Sequence, residues 1–394
     1  MRPFWLDEMR EARAQGNARS RRVLSPDPDH PGRVIWQGRS LWHFASNDYL
    51  GLSRDPRMAK AVSRAAFREG SGAGASPLVS GWLPGLRRLE RELASFEETE
   101  SALVFASGYA ANLAVVSSLV GLGDLILSDE LNHASLIDGC RLSKAKVLVY
   151  RHSDIEHARE LAQKYRWQHR RMLLVTDSVF SMDGDEAPLV ELGELALVMD
   201  GLLLVDEAHA TGVMGEGGRG LAHQACERLA ELQARMARVG TLSKALGAQG
   251  GYLLGSKSLV RWLVNKGRSY LFSTALAPGS AAAGRAGLKL AQDEPWRREK
   301  VLQLALQLRQ LLREYGFEVL PGTSPIVPVF LGESCRAVIW SKELADQGFL
   351  VPAIRPPSVR ANRARLRISL TANLDESVVA ALALALKSIA GRGL

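Results

Sequence analysis

The sequence predicts an α/β protein: a large domain on a mostly parallel sheet, joined to a smaller α+β domain. Two patterns carry this. From Ala102 onward, short apolar runs (ALVF, DLIL, KVLVY, RMLLVT, GLLLV, MARV and GYLLG) alternate with stretches of helical periodicity. Uninterrupted apolar strands separated by helices are what a sheet covered on both faces requires. Towards the C-terminus the order changes: a leucine-rich helix over 296–315 ends at Gly316, then come FEVL, IVPVFL, a helix over 334–347, FLVPAI, ARLRISLT and a last helix from Glu376. Strands in hairpin-like order with helices on one face give the smaller domain. The expected division is 1–50 as an N-terminal segment packing with the small domain, 51–288 as the large domain and 289–394 as the small one.

Composition sets the class. The 394 residues are 46% hydrophobic and 23% charged, with a net charge of +8, which describes an ordinary globular protein long enough for a large core. The basic pI of about 9.5 suits a phosphorylated small molecule as well as nucleic acid, and no basic block stands out beyond 19–22 and 360–367. Cys140, Cys226 and Cys335 are odd in number and far apart, against a disulfide framework or a zinc site and for a reducing, cytoplasmic setting. Asp7 and Glu8 fall where an export signal needs its apolar core, and no run approaches membrane-spanning length.

In chain order, Trp5, Met9 and Ala12 recur at helical spacing, suiting a short docking helix. VIW and LWHF read as strands. SNDYLGL enters a helix with Asp48 as its cap, and Pro56 gives a second start signal. The small residues of GSGAGASPLVSG, 70–81, let backbone and ligand approach closely. Leu86, Leu89, Leu93 and Phe96 then mark the core face of a helix.

Ligands on parallel sheets gather at the carboxyl ends of the strands, so the residues just after each run are informative. ALVF is followed by Ser107, Gly108 and Tyr109 at a turn into a helix, where backbone N–H groups and the helix dipole can hold a phosphate. DLIL leads to His133, RMLLVT to Asp177 and Ser181, GLLLV to Asp206 and His209, and MARV to Thr241, Ser243 and Lys244. Singly, each has an ordinary structural explanation as a cap, turn or surface residue. Together they surround a lysine whose amine, partly desolvated on rigid backbone, can form a Schiff base. A pyridoxal phosphate site needs that lysine, a carboxylate for the ring nitrogen, a flat group over the ring and donors for the phosphate.

SNDYLG, SGYAAN, FSMDGD, VDEAHATG, TLSKALGAQGG and ARLRIS, in this order over nearly the whole length, resemble the α-oxoamine synthases, a family of pyridoxal phosphate enzymes. The resemblance implies an aspartate-aminotransferase-like, fold type I large domain and homodimers with shared sites. It implies that Lys244 carries the cofactor as an imine and serves as base, that Asp206 pairs with the ring nitrogen, that His133 stacks on the ring, and that Ser181 and His209 bond its phenolic oxygen. Gly108, Tyr109, Thr241 and Ser243 would cradle the phosphate, with Thr274 reaching a neighbouring subunit's.

For substrates, the resemblance implies that Arg367 clamps the amino acid's carboxylate, a task suited to a guanidinium fork, with Asn47 assisting. Arg21, beside its rivals Arg19 and Arg22, would meet the acyl substrate with Arg355 and Ser358. Ser358 stands in place of the family's usual threonine, and Arg360, Asn362 and Arg363 replace the customary residues after it. GSGAGASPLVSG and AIRPPS favour a member that joins L-alanine to a pimeloyl thioester, on coenzyme A or a carrier protein, in biotin synthesis. The alternatives are glycine-using members of the family and a non-enzymatic cofactor-binding module. VDEAH also resembles a helicase motif, but no G-x-x-x-x-G-K-[ST] loop occurs, and GEGGRG, 215–220, follows no strand as a dinucleotide site requires. Neither nucleic acid nor a membrane is an expected partner, and no metal is expected.

Overall fold

A computed structural model of the chain describes residues 3–392. The chain forms two compact units, one of Leu52–Phe180 with Glu186–Arg298, the other of Met1–Gly51, Ser181–Asp185 and Glu299–Leu394. The strands in chain order are β1 (Ser25–Pro26), β2 (Arg33–Trp36), β3 (Arg39–His43), β4 (Ser101–Phe105), β5 (Leu125–Asp129), β6 (Lys146–Tyr150), β7 (Met172–Asp177), β8 (Leu202–Asp206), β9 (Met236–Thr241), β10 (Gly251–Gly255), β11 (Ile326–Gly332), β12 (Phe349–Leu350), β13 (Ala353–Ile354) and β14 (Ala364–Ser369).

The larger unit is built on a seven-stranded sheet of order β4-β10-β9-β8-β7-β5-β6. Neighbours from β9 to β6 run parallel, while β10 is antiparallel to both β4 and β9. Every apolar run expected to be a strand of this domain is one. Alternate side chains of a strand point to opposite faces, and both faces are covered: Leu173 and Val175 join a core with Val115 and Leu136, whereas Met172 and Leu174 join one with Leu192 and Ala222. Each such fully buried leucine or valine contributes about 1.5–3 kcal/mol relative to exposure, which is why these strands carry no polar alternation.

Beneath the sheet lies a polar network. Glu97 accepts hydrogen bonds from Thr211 and Tyr252 at one carboxyl oxygen, and Glu207 accepts one from the Ala222 N–H. The second oxygen of each carboxyl is buried without a hydrogen-bond partner. Burial pushes the Glu97 pKa up to about 7, against the pull of Arg238, and that of Glu207 up to about 8, helped by the charge of Glu97.

The smaller unit holds a four-stranded sheet, β1-β2-β3-β12, and a three-stranded one, β11-β14-β13. FLVPAI is divided between them: β12 runs parallel to β3, and β13 is antiparallel to β14. Pro352, which has no N–H to give a ladder, separates the two pieces.

Three expectations are corrected. FEVL forms no strand. It is caught between Gly316 and Gly322, both at positive φ, and Phe317 instead packs edge-on against Trp340. Asp48 is not a helix cap; it lies in a turn, and Asp55 caps the helix Pro56–Glu69 by accepting from the Arg57 N–H, with Pro56 at the first position. The helix Trp5–Ala14 exists but buries none of its residues, leaving Trp5 and Met9 exposed.

Candidate functional site

Five strand ends of the larger unit converge. A cavity of about 250 Å³ is lined by Ser107, Gly108, Tyr109, Asn112, His133, Ser135, Asp177, Asp206, Ala208, His209, Thr241, Ser243 and Lys244. Nine residues inferred from sequence, Ser107, Gly108, Tyr109, His133, Asp206, His209, Thr241, Ser243 and Lys244, thus share one wall.

Each is positioned by its element. Beyond β4, Ser107 caps the helix Gly108–Leu119, its Oγ accepting from the Ala110 N–H, so the remaining N–H groups of that first turn face the cavity's end as anion donors. Gly251 of β10 is paired with both Phe105 and Thr241. A Cβ there would collide with the backbone of Ser107 and Gly108, so only glycine lets the turn lie this close. Beyond β9, Thr241 Oγ1 is 2.7 Å from Ser243 Oγ and donates to the Gly250 carbonyl. The half-buried Lys244 places its Nζ 2.8 Å from Nε2 of the buried His209.

The floor is acidic. Asp177 and Asp206 are register partners in β7 and β8. Asp206 accepts from the Ala208 N–H at Oδ1 (2.9 Å) and from the Asn112 amide at Oδ2 (2.6 Å). Asp177 accepts from the His133 N–H at 2.7 Å. Burial, then the charge of Asp206, holds the Asp177 carboxyl well above the usual carboxylate range. His133 stands open to the cavity. Partial desolvation lowers its pKa, the charge of Asp206 opposing and that of Lys244 adding, so the ring is neutral at neutral pH.

The remaining residues cluster in the smaller unit. Arg367, 5% exposed, donates through Nη1 to Asn47 Oδ1 (3.0 Å) and Ser369 Oγ (2.7 Å), and through Nε to the Ser181 carbonyl. Arg19 donates to Ser358 Oγ at 3.1 Å, and Arg355 to the Ala18 carbonyl at 2.7 Å. Burial lowers the Arg355 pKa, with the charges of Arg19 and Arg22 adding to the shift, so these three cations and Ser358 form one anion-ready group. Arg21 is exposed, as is Thr274 in the larger unit.

Sequence reasoning missed Asn112 and Ser135. Both lie inside helical turns where spacing alone does not separate a site residue from core, although the AAN of SGYAAN put a buried amide one turn after the phosphate-binding turn. Among the described residues no group of His, Cys, Asp or Glu is arranged to hold a metal, and no helix is long and apolar enough to cross a membrane.

The profile of the aminotransferase class I and II family matches residues 39–386. The chain belongs to that family, and within it to the α-oxoamine synthases. It is 44% identical over 372 residues to the 8-amino-7-oxononanoate synthase of Geobacter sulfurreducens, covering 94% of this chain and 93% of that one. With the enzyme of that name from Anaeromyxobacter dehalogenans it shares 45% over 370 residues, covering 94% and 92%. Among solved structures, serine palmitoyltransferase of Sphingomonas wittichii superposes with a TM-score of 0.91 at 31% identity, covering 99% and 97%. The 8-amino-7-oxononanoate synthase of Francisella tularensis gives 0.76 at 26% identity, covering 90% and 98%. The fold type I architecture expected from the α-oxoamine synthase motifs is therefore present.

Proposed function

We propose that the protein condenses L-alanine with a pimeloyl thioester, on coenzyme A or a carrier protein, to 8-amino-7-oxononanoate in biotin synthesis, with pyridoxal 5'-phosphate as cofactor. The observation that carries this is the cavity itself, where an amine, Lys244, and a carboxylate, Asp206, share one wall with a helix N-terminus. The donor set fits the cofactor: Asp206 for a ring nitrogen, the N–H groups after Ser107 with Thr241 and Ser243 for a phosphate, and His133 for the ring face. Asn112 Oδ1, buried at the cavity without a partner, adds an acceptor to that set.

When bound, the cofactor supplies an electron sink for a carbanion at the amino acid's α-carbon. The chain's own residues do the rest. Asp206 would keep a proton on the ring nitrogen, and its hydrogen bonds from Asn112 and Ala208 orient its carboxyl group for that. Lys244 Nζ takes the α-proton of alanine. Arg367, oriented by Asn47 and Ser369, binds alanine's carboxylate, and Arg19, Arg22, Arg355 and Ser358, with Arg21, receive the anionic acyl substrate. In the net reaction, alanine's α-carbon bonds to the thioester carbonyl carbon, the thiol leaves, and the carboxylate is lost as carbon dioxide.

Serine-using chemistry is the second reading, since the serine palmitoyltransferase of Sphingomonas wittichii superposes better than the 8-amino-7-oxononanoate synthase of Francisella tularensis does. Backbone likeness is shared throughout a fold, whereas an identity of 42–46% over most of the chain is to relatives named 8-amino-7-oxononanoate synthase, so the alanine reading is preferred. The test is thiol release from pimeloyl-CoA with alanine, glycine or serine, together with labelled carbon dioxide from carboxyl-labelled alanine. Alanine should give both; thiol release only with glycine or serine rejects the reading.

The working form is a homodimer. Leu78, Val79, Trp82 and Phe272 are exposed on adjoining segments, joined where the Ala275 N–H donates to the Ala75 carbonyl, and a second copy would bury them and bring Thr274 to its site. The unpaired thiols Cys140, Cys226 and Cys335 suit the reducing cytoplasm.

A further inference from the structure

We propose that Asn112 and Ser135 are positioning residues that fix the tautomer of His133, linking its ring to Asp206 through one chain of hydrogen bonds. The catalytic reading is needed only for the consequence of this chain; the bonds themselves stand on the geometry.

Asp206 is the group whose polarity is fixed. A carboxylate only accepts, so the Asn112 side-chain atom 2.6 Å from Asp206 Oδ2 is the amide nitrogen. Turning the amide over would set two acceptors against each other, so this orientation holds although it leaves Asn112 Oδ1 without a partner. The second N–H of the same nitrogen points to Ser135 Oγ at 2.9 Å. Ser135 Oγ therefore accepts from Asn112 on one lone pair, and its own proton is left for its other neighbour, His133 Nδ1, at 2.7 Å. The Ser135 backbone N–H also aims at Nδ1, at 3.3 Å, because His133 caps the helix Ala134–Ser143. With two donors converging on it, Nδ1 is a bare acceptor, and a neutral imidazole then carries its proton on Nε2.

Asn112 and Ser135 are 1% and 0% exposed, so the bonds from Asn112 to Ser135 and Asp206 are buried, while the His133 ring at the end of the chain is exposed. The lowered pKa of His133 agrees with a ring that is neutral at neutral pH. For the reaction, the consequence is that His133, which lines the cavity, offers an N–H donor from Nε2 to a carbonyl or carboxylate oxygen of the substrate. The same ring with its proton on Nδ1 would offer only a lone pair there.

The test is a long-range proton–nitrogen correlation spectrum of the full chain labelled with nitrogen-15 histidine, recorded with and without pyridoxal phosphate. The His133 signals are those missing from His133→Gln. The expected wild-type spectrum has a bare Nδ1 and a protonated Nε2 in both samples. Ser135→Ala should move the Nδ1 resonance, because the nearer donor is lost. Asn112→Ala should move the same resonance by less, because Ser135 Oγ keeps its bond to Nδ1 but loses the donor that polarises it. Each variant should lower kcat/KM about tenfold, the effect of one lost hydrogen bond. A wild-type proton on Nδ1, or ring signals unmoved in both folded variants, overturns the proposal. Failure of the cofactor to bind would overturn the catalytic reading alone, since the spectrum of the cofactor-free chain still reports the tautomer.

Discussion

Lys244 Nζ and His209 Nε2 stand 2.8 Å apart. Two cations at that distance repel, so the pair holds one proton between its two facing nitrogens, either as lysine donating to a bare Nε2 or as histidine donating to a neutral amine. Both states keep the amine close to a partner that exchanges protons with it. The histidine is buried on the strand-end turn after β8 and the lysine lies beyond β9, so adjacent parallel strands set the spacing.

Removing either partner should have different effects. Lys244→Ala should abolish the visible absorbance that appears on adding pyridoxal phosphate and lower kcat by about 10²–10⁴-fold or more, the usual contribution of a positioned acid or base. His209→Asn should retain the absorbance, shifted in its pH dependence, with a smaller loss of kcat. Absorbance titrations and steady-state rates of the two variants check this, and a coloured Lys244→Ala protein contradicts the assignment.

The packing of β10 against the phosphate-binding turn gives a second prediction. An added methyl at Gly251 would press on the Ser107–Gly108 backbone, and overpacking of a closed site costs about 1–3 kcal/mol. Gly251→Ala should therefore weaken pyridoxal phosphate binding about tenfold or more, measured by fluorescence titration. Gly391→Ala, where the backbone is helical and a Cβ meets nothing within 4 Å, should leave that affinity unchanged.

Glu207 predicts a pH dependence of stability. Its folded pKa, about 8, lies above the ordinary value of 4.5, so between those pH values the folded state binds more protons than the unfolded one. Stability from this group is fully present below about pH 4.5 and is lost as pH rises through about 8, at up to about 1.4 kcal/mol per pH unit. Glu207→Gln, neutral at every pH, should gain stability relative to wild type from pH 5 to about 8, and the difference should then level off. Urea unfolding of both proteins at pH 5, 7 and 9 checks the sign; a difference that shrinks with pH refutes it.

The large sheet was legible because its strands are buried on both faces and so are spelled in uninterrupted Leu, Val and Ile, while the residues at their carboxyl ends must do chemistry and cannot be apolar. Lys244, Asp206 and His133 were found that way. Asn112 and Ser135 were not, because they act from inside helices, where a polar residue facing a site and one facing solvent have the same spacing. FEVL has the composition of a strand, but strand formation needs a partner edge, and its flanking glycines and Pro321 deny it one. Asp48 and Asp55 both precede a helical stretch, and only the proline immediately after Asp55 distinguishes the true start. The helix Trp5–Ala14 has the periodicity of a packed helix; periodicity reports an apolar face and not what covers it.

The buried fork of Arg367 supplies the last prediction. Nη1 is spent on Asn47 and Ser369 and Nε on the Ser181 carbonyl, while Nη2 makes a long contact to the Tyr49 hydroxyl, at 3.5 Å. The protein thus holds the guanidinium plane through Nη1 and Nε and leaves Nη2 its best-placed donor for a carboxylate. A lysine has one nitrogen and no plane, so it cannot keep those anchors and meet a substrate at once. Arg367→Lys should raise KM for alanine about tenfold or more, the worth of one charge-assisted hydrogen bond, with the pyridoxal phosphate affinity unchanged, because the cofactor's donors belong to other residues. Asn47→Ala should raise the same KM by less, since it removes one anchor of the fork and leaves the charge. Steady-state kinetics over alanine concentration, paired with cofactor titrations, separate the two effects, and a variant that loses cofactor affinity while keeping its KM for alanine would show that Arg367 serves the cofactor instead.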